Sequence, residues 1–485
     1  MNWWVLKRKI YISWLLAIAC GGIFIGVFVA QYVKGEWTSS FLNLIIAALI
    51  IVLVFWRRYI YLIPVLIIGG LLLGLWRGSL SQNELAKFQP FYGKNISVSG
   101  MVKDDIDTGS SGQIVIRLDN ISIENNKLPG VLYVTAATEA EIKRGDSLQI
   151  SGLLKEGFGN FSGTIYRANI DKIIHPRPGD IARQIRDWFA DAIRRVIPAP
   201  ESSLGIGFLV GQRRALPADL VLALQMVGLT HVVVASGYNL TILVRLARRL
   251  FEKVSKYLSA LSAGLMIFGF MAITGLSPSM SRAGLVSALS LLAWYYGRKF
   301  HPIVLLMVAI SVTVLINPSY AWGDLGWQLS FMSFAGVMIL APLACRYFFG
   351  DEKPKFIAQI LIETMSAFVV TAPILIMAFG QLSNVSLFSN LLVLPLVPLA
   401  MLLAFIAGIG SLILPSIGWI IATPATWLLK YMVGVAEYLA ALPWAISKID
   451  MQWWGVTIIY LAISAACFYM WRVTKYNLRE VNIVE

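Results

Sequence analysis

Long apolar runs alternate with short clusters of lysine and arginine along most of this chain, and one polar stretch near residues 90–175 interrupts them. Three apolar runs open it, near 11–33, 41–56 and 59–76. Each approaches the roughly 20 residues that a helix needs to cross a hydrocarbon core about 30 Å thick. Nine more follow residue 200, at about 219–244, 258–275, 281–297, 302–317, 325–345, 357–380, 385–413, 417–441 and 452–472. The pattern predicts a polytopic α-helical membrane protein of about 12 transmembrane helices.

The basic linkers orient these runs, because Lys and Arg collect in cytoplasmic loops. Lys7, Arg8 and Lys9 precede the first run, and Arg57 and Arg58 separate the second from the third. Later clusters are Arg245, Arg248, Arg249, Lys253 and Lys256; Arg298 and Lys299; Arg346, Lys353 and Lys355; and Arg472, Lys475 and Arg479. The path that satisfies them places both termini in the cytoplasm of a bacterial-type plasma membrane and residue 77 outside. The first run is too long for a removable signal and lacks a small-residue cleavage site, so it reads as an anchor.

The polar stretch has a period of two, as in Ile96-Ser97-Val98-Ser99-Gly100 and Val131-Leu132-Tyr133-Val134, with turns at Asp107-Thr108-Gly109-Ser110 and Glu124-Asn125-Asn126. It predicts a small all-β domain of about five or six strands, of a size that fits an OB-type barrel. The charge path puts it outside the membrane. Residues 180–196 then alternate Ile181, Ile185, Trp188, Phe189, Ala192, Ile193 and Val196 with Arg183, Arg186, Asp187, Asp191, Arg194 and Arg195 at helical spacing. This predicts a helix lying in the membrane interface. The organisation is therefore a three-helix region at 1–80, the β domain at 90–175, the interfacial helix at 178–198, a polytopic region at 200–475 and a tail at 476–485.

Composition agrees: 58% of the 485 residues are hydrophobic and 14% are charged, with a mean hydropathy of +0.73. A water-soluble chain of this length needs more polar surface. Cys20, Cys345 and Cys467 all lie in apolar runs and offer neither a disulfide framework nor zinc spacing. The net charge of +14 is accounted for first by the cytoplasmic loops. Acidic and basic residues nearly balance over 93–175, so the β domain is not a basic funnel.

Polar groups inside apolar runs carry the functional information, since they are costly there unless they face a bundle interior or a wet cavity. The most unusual stretch is Gly228-Leu229-Thr230-His231 to Ser236-Gly237-Tyr238-Asn239. Its glycines and intervening valines weaken a helix, and a continuous helix would put His231 and Asn239 on one face. A discontinuous helix is one way to line a pore; hydrogen bonding to neighbouring helices is the alternative. Arg282 follows the broken Gly275-Leu276-Ser277-Pro278 turn, where snorkelling to the interface is the plainer account. Asn317-Pro318 and Gly323-Asp324 bound an outside loop before Gln328 and Ser330; Glu363, Pro373, Gln381, Asn384, Asn390, Pro395 and Pro398 interrupt later runs. Gly22/Gly26 and Gly70/Gly74 form GxxxG pairs, a common helix-packing signal. In the β domain, Phe158, Phe161 and Tyr166 cluster late. They suit base stacking, and suit the barrel core somewhat better.

No GxxxxGK[ST] nucleotide loop is present. His175, His231 and His301 are scattered, no HExxH motif occurs, and Ser236 does not stand in a GxSxG elbow. Asp104, Asp105 and Asp107 fit a solvated turn better than a Mg²⁺ site. The expectation is a protein that is not an enzyme and needs no cofactor.

Four ordered blocks resemble the competence domain of the ComEC family, the membrane channels of natural transformation. They are Gly211-Gln212-Arg213-Arg214 with Val227-Gly228-Leu229-Thr230-His231 to Val234-Ala235-Ser236-Gly237; Thr274-Gly275-Leu276 with Pro278 and Arg282-Ala283-Gly284; Asn317-Pro318 with Gly326-Trp327-Gln328-Leu329-Ser330-Phe331; and Pro373, Gln381, Ser389-Asn390-Leu391-Leu392 and Pro395-Leu396. The β domain sits where that family carries an OB-like domain. The resemblance implies import of single-stranded DNA across the cytoplasmic membrane, along a path near the 228–239 break. That path would include His231, Ser236, Gly237, Asn239, Arg282, Gln328 and Asn390, with Phe158, Phe161 and Tyr166 as DNA contacts in the β domain. Such a path needs cationic or amide groups for the phosphates. The implied partners are single-stranded DNA, membrane lipid, a separate nuclease, a DNA receptor and a cytoplasmic motor, and a homo-oligomer is compatible with them. Two departures stand out. Asn239 occupies a position where the family usually has histidine. The sequence also ends about 13 residues after its last run, with no metallo-β-lactamase-like His/Asp motif, so the nuclease is expected on another chain. The alternatives are a transporter or flippase for another solute, in which Glu363 and Arg282 would couple or bind, and a structural subunit of an envelope complex.

Overall fold

A computed structural model describes residues 9–476, apart from 34, 109–112, 125, 139, 141, 213–215, 234–235, 276, 299–300 and 353. Of the positions named above, Lys7, Arg8, Gly109, Ser110, Asn125, Arg213, Arg214, Val234, Ala235, Leu276, Lys299, Lys353, Arg479 and the tail beyond 476 lie outside the described residues. The chain folds as two compact units, one of Met1–Ile181 with Ile303–Gln328 and one of Ala182–Pro302 with Leu329–Glu485.

The first unit starts with α1 (Ile12–Val29), α2 (Phe41–Arg57) and α3 (Ile63–Ala86). Both GxxxG pairs are used, and against each other. A Cβ on Gly22 would lie 2.7 Å from the Ile67 carbonyl oxygen, and one on Gly70 2.5 Å from that of Ala19. Gly26 and Gly74 are pressed equally closely to the Leu71 and Ile23 carbonyls. The absence of side chains is what lets α1 and α3 touch backbone to backbone, where van der Waals contact replaces a hydrophobic driving force.

The β domain follows as β1 (Asn95–Val102), β2 (Asp107–Thr108), β3 (Ile114–Ile123), β4 (Asn126–Leu128), β5 (Leu132–Ala136), β6 (Ser147–Glu156), β7 (Gly163–Ile165) and β8 (Asn169–Ile174). Strands β1, β3, β5, β7 and β6 pair in that order, and β1 also pairs with β6, which closes the ring. Only the β5–β7 pair is parallel. This is the five-stranded Greek-key arrangement of the OB type. Alternate residues such as Ile116, Leu118, Ile121, Ile123, Leu132, Val134, Leu148, Ile150 and Leu154 fill the interior. Phe158, Phe161 and Tyr166 do not. They lie outside this aliphatic core, with Phe158 and Tyr166 about half exposed at 50% and 49%. The barrel-core reading of these aromatics is therefore corrected: aliphatic side chains from the alternating strands already fill a barrel this small.

The second unit begins with α4 (Ile181–Arg194), where the amphipathic pattern predicted a helix. Ala190, Ala192 and Ile193 pack inward while Ile181, Ile185 and Trp188 remain exposed, as suits a helix with one face toward lipid. Next come α5 (Glu201–Val210), α6 (Ala218–Met226), the single turn α7 (Thr230–Val233), α8 (Gly237–Glu252), α9 (Lys256–Thr274) and α10 (Pro278–Tyr295). Every residue of α5 is buried. No long apolar run marked this helix, because it has ten residues, several of them Ser and Gly, and no periodicity.

The chain then returns to the first unit with α11 (Pro302–Ile316), α12 (Tyr320–Gly323) and the start of α13 (Leu325–Ala335). The Ser311 hydroxyl donates to the Cys20 carbonyl at 2.8 Å, and the Trp327 indole donates to Thr313 Oγ1 at 3.0 Å while stacking on Phe24. Arg77 donates to the Leu315 and Ile316 carbonyls, which lack partners at the end of α11. Beyond α13, a π-helical turn (Gly336–Leu340) leads to α14 (Ala341–Phe349), then α15 (Phe356–Phe379), α16 (Ser386–Val393), α17 (Val397–Ile413), α18 (Gly418–Ala440) and α19 (Trp453–Thr474). Strands β9 (Gln381–Ser383) and β10 (Ile446–Lys448) pair across two of these connections. Among the described residues, eight helical stretches are long and apolar enough to cross a membrane, and α2, α5 and α11 are shorter apolar helices.

Candidate functional site

The apolar run at 219–244 is broken into α6, α7 and α8. Gly228 breaks it first, with a φ of +73° that glycine adopts without strain. The same glycine lets α16 approach: a Cβ there would lie 2.6 Å from Ser386 Oγ. Ser389 donates to the Val227 carbonyl at 2.7 Å, satisfying a group that the break frees. Asn390 sits one turn on, its amide nitrogen donating to the Ser386 carbonyl at 2.8 Å. Its side-chain oxygen is buried without a hydrogen-bond partner. His231 stands three residues beyond Gly228, in the single turn α7. The His231 side chain is exposed on the surface of the described structure. The geometry thus brings His231, Gly228, Ser386 and Asn390 into one neighbourhood.

A second cluster forms at the start of α8. Ser236 is extended and its hydroxyl approaches Asn239 Oδ1 at 3.4 Å. Asn239 is fully buried, and its amide donates to the Phe208 carbonyl near the end of α5 at 3.0 Å. Gly237 makes room for Arg282 of α10, since a Cβ on it would lie 2.9 Å from Arg282 Nη2. Arg282 donates through Nε to Ser330 Oγ at 2.6 Å, and Ser330 lies 3.2 Å from Ser279 Oγ. The guanidinium rests on the rings of Phe334 at 5.3 Å and Phe331 at 5.9 Å. Arg282 is part-buried, and among the described residues no charged group pairs with it and no hydrogen bond from its terminal nitrogens is seen. A guanidinium held this way, in the second turn of α10, keeps donor groups that suit a carboxylate or phosphate oxygen.

Gln328 lies on the first turn of α13, part-exposed, and belongs to the first unit. Just before it, Asp324 caps α13 by accepting the Trp327 backbone N–H at 2.7 Å, and also accepts from Asn160 Nδ2 at 2.7 Å. Gly323 and Gly159 touch through their backbones, so the 157–162 loop of the β domain is seated on the head of α13. Beside that loop, Tyr133 makes edge contacts with Phe158 at 5.2 Å and Phe161 at 5.3 Å, and Tyr166 lies 6.3 Å away with Lys155 over its ring. Sequence reasoning missed Tyr133, Phe331, Phe334, Ser386 and Asn160. Tyr133 carried a usable signal: it alternates with the core residues Leu132 and Val134 and so faces outward. Nothing in spacing could pair Ser330 with an arginine 48 residues earlier.

Residues 208–474, which include the break and both clusters around it, match the family model for competence proteins. The chain belongs to the competence protein family. Over 216 residues, 43% of its length, this competence protein is 25% identical to ComE operon protein 3 of Bacillus subtilis (strain 168). The match spans only 27% of that relative. No solved structure matches the chain. Family membership and the apolar helices make this competence protein an integral membrane protein. Among the described residues, no group of three or more His, Cys, Asp or Glu side chains could hold a metal ion.

Proposed function

We propose that this competence protein is a non-enzymatic conduit that passes single-stranded DNA across the cytoplasmic membrane during natural transformation. The observation that carries the reading is Arg282, a part-buried guanidinium held by Ser330 and two rings, with no charged partner among the described residues, beside the break between α7 and α8. A strand crossing the bilayer needs a phosphate ligand that does not trap it. One fork-shaped cation, held by Ser330 and two rings, meets that need better than a dense basic channel. His231, Ser236, Gly237 and Asn390 would line or shape the same path, and Asn239 would hold α8 in place through Phe208.

The β domain would lie outside, with both termini cytoplasmic. OB barrels take up oligonucleotides on the face of their second and third principal strands and on the loop between the fourth and fifth. Here those are β3, β5 and the 157–162 loop, where Tyr133, Phe158, Phe161 and Tyr166 form an outward aromatic patch. That loop would deliver the strand to the head of α13. A separate nuclease, DNA receptor and motor would complete the machinery, and the conduit could act as a homo-oligomer.

Photo-crosslinking tests the path. A crosslinking residue placed at 231 or 237 should capture a strand stalled in transit, whereas one at lipid-facing Leu265, which is exposed on α9, should not. Capture at 265 with none at 231 or 237 would sink this placement.

A further inference from the structure

The ends of three helices meet at a buried arginine that nothing above uses. Arg248 lies near the C-terminus of α8, Lys256 begins α9, and Trp294 and Tyr295 close α10. The backbone there is fixed: Ser259 donates to the Arg248 carbonyl at 2.9 Å and Ser262 to the Ala247 carbonyl at 3.1 Å. The Arg248 side chain is only 5% exposed, and its guanidinium stacks on the Trp294 indole at 5.1 Å. Lys256 sits over the same indole at 5.8 Å and over Tyr295 at 5.5 Å. Stacking uses only the face of the guanidinium, and among the described residues Arg248 Nε and Nη1 are buried without a hydrogen-bond partner.

No acid relieves this. Among the described residues, no carboxylate pairs with Arg248. Arg245 faces Arg248 and Arg249, and its own Nε is also buried and unpartnered. The acid near Arg245 is Glu363, with Tyr238 beside it, and Glu363 already accepts from Gln359. Buried donors in this number are rarely left unmet, and a guanidinium edge matches the oxygens of a phosphate.

We propose that this junction of α8, α9 and α10 binds the phosphate headgroup of an anionic phospholipid. The surroundings select lipid over a nucleic-acid strand. Leu246 and Leu250 on α8 and Tyr257 and Leu261 on α9 are exposed apolar groups on the same helix ends, as acyl chains require and a strand does not. Trp294, Tyr295 and Tyr296 mark the level of the membrane interface, and basic pockets at helix ends are where anionic headgroups settle. The site depends only on residence in a membrane, not on what the conduit carries.

The test uses the full-length protein in phosphatidylcholine nanodiscs, titrated with phosphatidylglycerol, inorganic phosphate or a single-stranded oligonucleotide, with thermal midpoint and native mass spectrometry as readouts. Phosphatidylglycerol should bind at least tenfold more tightly than phosphatidylcholine and raise the midpoint. Lys256→Gln, at an exposed position, should weaken binding about fivefold, and Arg248→Gln about tenfold or more. Arg248→Lys, which keeps the charge and loses the fork, should fall between wild type and Arg248→Gln. Equal affinity for the two lipids, or unchanged preference in Lys256→Gln, would overturn the proposal, whether or not Arg248→Gln folds. So would protection by inorganic phosphate or the oligonucleotide without phosphatidylglycerol.

Discussion

Arg282 combines three features that separate it from an ordinary snorkelling arginine. Its Nε is fixed on Ser330, its face is held by Phe331 and Phe334, and its terminal nitrogens have no acceptor among the described residues. Replacing it with Gln should lower DNA import about tenfold or more, since a charge-assisted hydrogen bond is worth roughly 1.5–3 kcal/mol. Arg282→Lys keeps the charge without the fork and should retain an intermediate rate, checked by uptake at matched protein levels. Asp324 is the complementary case outside the spans. Burial raises its carboxyl above the usual range, while the Trp327 and Gly326 amides and the charges of Arg117 and Lys103 work to lower it. A raised folded value means that the folded state holds the proton more tightly than the unfolded chain. The stability it contributes is present below the ordinary value, about 3.9, and is lost as pH rises through the folded one. Asp324→Asn keeps the capping oxygen but turns an amide donor toward Asn160 Nδ2, so it should lose that contact and flatten the change of stability between about pH 4 and 7. Asp324→Ala should cost about 1 kcal/mol through the lost cap. Unfolding midpoints across pH decide both.

At the scale of elements, the α1–α3 contact depends on backbone touching backbone. Gly74→Leu must push the helices apart and should cost about 1–3 kcal/mol. Gly21→Ala, on the partner helix α1 with nothing within 4 Å of the added Cβ, should be neutral. Thermal unfolding in detergent separates the two. The aromatic patch makes a second element-level prediction: Tyr133→Ala should weaken oligonucleotide binding by the full-length protein by about 1–3 kcal/mol. Binding unchanged in that variant would return the patch to a purely structural role. The helices themselves were largely readable from apolar runs, and the β domain from alternation, because both periods are imposed by burial of one face or by lipid. What could not be read depends on partners far along the chain. The ten residues of α5 are enclosed on every side and show no stripe. The GxxxG pairs were visible as motifs, but not that Gly22 would meet Gly70. The break at 228–239 was readable from its glycines, yet the serines of α16 that satisfy it lie more than 150 residues later.

At the scale of the whole molecule, the 157–162 loop of the barrel meets the head of α13 within the first unit. Asn160→Ala should therefore reduce import without changing oligonucleotide affinity, because it removes the Asp324 contact and leaves the aromatic patch intact. A loss of both together would mean that the loop itself had collapsed. The central claim is that this protein carries the strand across the membrane. The most direct measurement is the amount of labelled DNA reaching a nuclease-protected compartment in cells that have the protein, lack it, or carry Arg282→Gln or His231→Ala at normal protein levels. The account predicts that uptake disappears in the deletion and is impaired by both substitutions. Undiminished uptake in cells lacking the protein would contradict it.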